Sequence, residues 1–83
     1  MNNKYILESL ASDLKRVALG IHRGSHAMVE RFLTEVLKRH DELEMDSIHP
    51  YIKNILAKIN KNIRADDALM YSTLIQNYTQ HKR

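Results

Sequence analysis

In the first quarter of the chain, Ile6, Leu7, Leu10, Leu14, Val17, Ala18 and Ile21 recur at a spacing that only a helix gathers onto one face. At about 100° per residue they fall within a sector of roughly 120°, while Glu8, Ser12, Lys15 and Arg16 point elsewhere. Period-two alternation is absent, so a half-buried strand is excluded. The pattern returns in Met28, Val29, Phe32, Val36, Leu37 and Leu43, flanked by Leu33. It returns again in Ile48, Tyr51, Ile52, Ile55, Leu56, Ile59 and Ile63, and last in Met70, Tyr71, Leu74, Ile75 and Tyr78. The expected fold class is all-α, and four amphipathic segments with short connections make a small four-helix up-down bundle the simplest topology.

Local signals set the expected boundaries. Helix one should span residues 4–19, with Asn2 or Asn3 accepting from an orphan N–H and Gly20 taking the left-handed position after its end. Residues 21–24 then read as a connection, and Ser25 as the N-cap of helix two, residues 26–40. On its outer face Arg31 with Glu35, Glu35 with Arg39 and Lys38 with Glu42 are spaced for i to i+4 pairs. Asp46 or Ser47 should cap helix three, with Pro50 in its first turn, where a missing N–H is harmless. The acidic residues Asp41, Glu42, Glu44 and Asp46 oppose the dipole of helix two and suit the start of helix three. Between residues 60 and 67 a break is expected, with Asp66 capping helix four. The alternative has three helices, the last unbroken over residues 47–80. Such a helix would be about 50 Å long and would need an intertwined dimer to cover it.

At 83 residues the chain reads as one helical domain, residues 1–83, too small to hold much stability in reserve. Partners or self-association would supply the difference. There is no cysteine, hence no disulfide framework or thiolate zinc site, and a cytoplasmic protein is the expectation. The first residues lack the apolar core of a secretory signal, and no run reaches the roughly 18 apolar residues of a membrane span. The formal net charge of +3 is ordinary, but its distribution is not. Between residues 47 and 65 lie Lys53, Lys58, Lys61 and Arg64 and no acid.

No constellation for metal, cofactor or small-molecule substrate stands out, so none is expected. His22 and His26 have i to i+4 spacing, yet Gly24 and Ser25 interrupt the helix that would aim both at one metal. His40 falls in the apolar sector of helix two and reads as a core-margin residue. Asp66 and Asp67 precede an apolar run and read as capping and first-turn residues. The glycines are two and isolated, which excludes a phosphate-cradling loop or a nucleophile elbow.

Arg16 and His22, with five residues between them, resemble the Arg-x4-6-His motif of HEPN ribonucleases. The resemblance covers two residues. It implies a helical domain whose dimer brings two such motifs together at RNA, with an accessible imidazole for acid–base work.

The first reading is a protein–protein interaction or regulatory module without catalytic activity, self-associating or bound to another protein. Tyr5, Leu19 and Leu69 lie off their helices' apolar stripes and are its candidate contact residues. The second is a nucleic-acid-binding regulator using Lys53, Lys61 and Arg64 on the basic face of helix three together with Lys82 and Arg83. In that reading Ser72, Thr73, Gln76, Asn77 and Gln80 are candidate base readers. A ribonuclease of the HEPN kind is the remote third.

Overall fold

A computed structural model describes residues 3–81 of the chain. The helices are α1 (Asn3–Arg23), α2 (His26–Glu42), α3 (Pro50–Ala57) and α4 (Ala65–His81), with a single 3-10 turn at Met45–Ser47 between α2 and α3. The fold is an all-α four-helix bundle, and no strand occurs among the described residues.

The end of α1 departs from expectation. Gly20 is helical and buried, and Gly24, with φ 67°, takes the left-handed position instead. Gly24 N–H donates to the Ile21 carbonyl at 3.1 Å and Ser25 N–H to the Gly20 carbonyl at 2.9 Å, which is the paired closure of a Schellman motif. Ser25 also caps α2 as expected, its hydroxyl accepting from Met28 N–H at 3.3 Å. One residue thus closes one helix and opens the next, so α2 folds back directly along α1. Gly20 is needed for this approach: a Cβ there would lie 2.9 Å from Val29 Cγ2.

Helix three is shorter than expected and starts differently. Asp46 and Ser47 belong to the 3-10 turn, and the cap is His49, whose Nδ1 accepts from Tyr51 N–H at 3.1 Å. Pro50 occupies the first turn, as expected. The acidic run does not serve this helix. Asp41 and Glu42 close α2 beside Arg39 and His40, and Arg39 pairs with Glu42 at 3.3 Å in place of Glu35. At its far end α3 stops at Ala57, because Asn60 offers the backbone another partner: its Oδ1 accepts from Asn62 N–H at 2.8 Å. Ile59 nevertheless stays buried and Ile63 half-buried against the core.

The break before α4 is present, which rules out the continuous last helix and the intertwined dimer it would need. Asp66 is not the cap. Arg64 stands there, its carbonyl accepting from Ala68 N–H at 2.9 Å, while Asp66 and Asp67 lie in the first turn, where their charge complements the helix dipole.

Three contacts fix the topology. Asn3 and Glu44 bond at one end of α1, Tyr78 and Thr79 line a pocket with Asn3, Lys4 and Leu7 at that same end, and Ile21 and Ile63 share a groove at the other. The helices therefore run up, down, up and down. The core is filled from α1 by Ile6, Leu7, Leu10, Ala11, Leu14, Val17 and Ala18, joined by Leu33, Val36, Ile52, Leu56, Ala68 and Ile75. Tyr71 is buried in it, Tyr78 is half-buried and Tyr51 is exposed.

Candidate interaction surface

Because the core takes the apolar side of α1, the opposite side faces outward along the whole molecule. Tyr5, Glu8, Arg16 and Leu19 are exposed there and Ser9, Ser12 and Asp13 half-buried. Tyr5, Glu8, Ser9, Ser12, Asp13 and Arg16, with Arg39 of α2, line an open polar groove of about 360 Å³. Arg16 is held in place on this surface. Its guanidinium pairs with Asp13 at 3.0 Å and lies 5.5 Å from the centroid of Phe32, on whose ring Arg31 also lies, at 5.4 Å. Arg39 Nε is a buried donor without a partner among the described residues.

The three candidate contact residues are all on the surface: Tyr5 is 63%, Leu19 42% and Leu69 46% exposed. Met70 and Tyr51, each 48% exposed, join them, although the sequence pattern places Met70 in the stripe of helix four and Tyr51 in that of helix three. Tyr5 and Leu19 share the outer face of α1, about 21 Å apart along its axis at 1.5 Å per residue. Leu69 lies elsewhere, on α4. With Ser72 bonded to Ala11, antiparallel register brings Leu69 level with about residue 14 of α1.

The basic candidates are not brought onto one helix face. Lys53 is on α3, Lys61 lies in the following connection and Arg64 at the start of α4, each exposed, while Lys82 and Arg83 lie outside the described residues, as does Asn2. Lys61 instead borders a groove on α2 formed with Val29, Glu30, Leu33, Thr34 and Leu37. Of the candidate base readers, Ser72 is buried and Gln76 half-buried, whereas Thr73, Asn77 and Gln80 are exposed.

Arg16 and His22 both lie on α1, but six positions turn them about 120° apart around the helix, so they do not share one face. His22 and His26 fall on different helices, and no cluster of three or more His, Cys, Asp or Glu suited to a metal occurs among the described residues. His40 is half-buried, as expected. No helix among the described residues is long and apolar enough to cross a membrane. Comparison of the chain with family models, with curated proteins and with solved structures gave no match.

Proposed function

We propose that this chain is a small helical interaction module without catalytic activity of its own, and that it self-associates. The observation behind this reading is the exposure of Tyr5, Leu19 and Leu69 in a domain whose other large apolar side chains are mostly buried or half-buried. Covering such residues removes apolar surface from water, and the gain is about 25 cal/mol per Å². Light scattering behind size exclusion, from micromolar to millimolar concentration, tests it. The expected mass rises with concentration from the 9.7 kDa of one chain toward twice that value. A single-chain mass throughout overturns the self-association.

A second reading, nucleic-acid binding, is favoured by one observation: Lys53, Lys58, Lys61 and Arg64 are all exposed and no acid lies among residues 47–65. Contacts from these bases to phosphates would release counterions, so affinity should fall steeply as salt rises. Titration of a labelled single-stranded RNA and a DNA duplex at low salt tests it, and no binding to either removes it.

A further inference from the structure

Five side chains on the outer face of α1 are placed symmetrically about Ser12. Tyr5 and Leu19 lie seven residues to either side of it, and Glu8 and Arg16 four. At about 100° per residue all five fall within a sector of about 80°. That sector points away from the core, for Leu10, Leu14 and Val17 are fully buried on the other side of the helix.

When two identical helices pack antiparallel about a two-fold axis, residue i meets residue j and j meets i. An axis through Ser12 therefore sets Tyr5 against Leu19 of the partner subunit and Glu8 against the partner's Arg16, each contact made twice. The members of each pair match: apolar meets apolar, and acid meets base. At the centre stand two serines, small enough for the helix backbones to approach. The seven-residue spacing of Tyr5, Ser12 and Leu19 also keeps all three on the seam of a left-handed helix pair.

We infer that this face is a homodimer interface in which α1 packs antiparallel on α1 of a second copy, fixed in register by two Glu8–Arg16 ion pairs. The inference rests on the self-associating reading above and specifies its geometry. A second copy is the occupant because the pattern complements itself, whereas an unrelated partner requires no equal spacing of acid and base around one serine. The charges are also ready for the role. Glu8 has no cationic partner among the described residues, and Arg16, which lines the groove and is anchored by Asp13 and Phe32, has less freedom to lose on pairing. A strip this narrow belongs with small, transient interfaces, so the dimer should dissociate on dilution.

Charge reversal tests the arrangement. Glu8→Arg alone and Arg16→Glu alone each set like charges together twice and should weaken association at least about tenfold. Mixing the two variants in equal amounts, or combining both changes in one chain, restores opposite charges and should recover it. Circular dichroism checks that each variant is folded. Should Arg16→Glu unfold because a second carboxylate now lies beside Asp13, Tyr5→Lys and Leu19→Glu provide the same test: each disperses the dimer alone and the equal mixture recovers it. Wild-type association that ignores Glu8→Arg, or folded variants whose mixture fails to recover, overturns the two-fold and leaves self-association through another face. A wild-type protein that stays monomeric overturns both.

Discussion

The Ser72 hydroxyl donates to the Ala11 carbonyl at 2.7 Å, joining α4 to α1 across 61 residues of sequence. The Ala11 side chain is fully buried and Ser72 nearly so, and Ala68 lies one turn before it, so small residues let these helices meet closely. Ser72→Ala keeps that closeness but removes the bond, and should lower unfolding free energy by about 1 kcal/mol. Ser72→Leu adds volume where none is free and should cost about 1–3 kcal/mol. Urea unfolding followed by circular dichroism measures both.

Ser72 also marks where the sequence could be read and where it could not. A stripe assembled from apolar residues finds Tyr71 and Ile75 but places Met70 inside and leaves Ser72 and Thr79 outside. The structure reverses those placements, because burial at a close crossing selects for size and for a satisfied hydroxyl, not for hydropathy alone. On α1, where large aliphatic residues fill the face, Ile6, Leu7, Leu10, Leu14, Val17 and Ala18 are buried as read, and small Ala11 joins them under α4. Helix ends were harder. Ile21 continues the α1 stripe past Gly20, a signal that the helix does not stop there, yet both glycines are chemically able to take the left-handed position. Only the docking of Val29 decides between them. Nor does a periodic count reveal that Asn60 ends α3, since Ile59 and Ile63 remain at the core after the helix is lost. The exposure of Tyr5, Leu19 and Leu69 was legible as departure from the stripe. The dispersal of Lys53, Lys61 and Arg64 was not, because it depends on that lost turn.

The two glycines should respond differently to alanine. Gly24→Ala meets no neighbouring atom within 4 Å but imposes a side chain on a φ of 67°, and should cost about 1–2 kcal/mol. Gly20→Ala improves helix propensity by about 1 kcal/mol yet drives Cβ against Val29, so a net loss is expected. Coupling Gly20→Ala with Val29→Ala should recover stability relative to the sum of the two single changes. A double-mutant cycle from thermal or urea unfolding reads this directly.

The start of α1 is tied to the α2–α3 connection by one side-chain amide. Asn3 Nδ2 donates to the Glu44 carbonyl and Glu44 N–H donates to Asn3 Oδ1, both at 3.0 Å, so the side chain acts as a short strand partner. Glu44 follows buried Leu43, and the bond helps seat that leucine against the core. Asn3→Ala should lower stability by about 1 kcal/mol, since the pair is exposed and each bond has a modest net effect. Hydrogen exchange at the Glu44 amide should speed up more than exchange within α4.

His49 caps α3 through Nδ1, which must therefore be the unprotonated nitrogen, with the hydrogen on Nε2. Pro50 has no N–H to satisfy and Ile52 N–H donates to the His49 carbonyl at 2.9 Å, so Tyr51 N–H is the first-turn donor that rests on this side chain. His49→Ala should cost about 0.5–2 kcal/mol, whereas His49→Asp, a stronger capping residue, should retain or raise stability. The difference between the two variants in thermal unfolding isolates the cap from the ring contact of His49 with Tyr78.

Tyr5 and Leu19 separate folding from association. Both are on the surface, so Tyr5→Gln and Leu19→Gln, which keep good helix formers at those sites, should each change unfolding free energy by less than about 1 kcal/mol. Leu10→Ala, at a fully buried position, should cost about 2–5 kcal/mol and serves as the comparison. In the two-fold arrangement each residue is used twice, so either glutamine substitution exposes both copies of the Tyr5–Leu19 contact and should weaken self-association several-fold. Dilution measured at a temperature well below unfolding distinguishes the cases. A Leu10→Ala protein that remains folded should still associate, because its face is intact, while the glutamine variants should be stable and predominantly monomeric. Glutamine variants that associate like the wild type would mean that Tyr5 and Leu19 are only incidental surface residues.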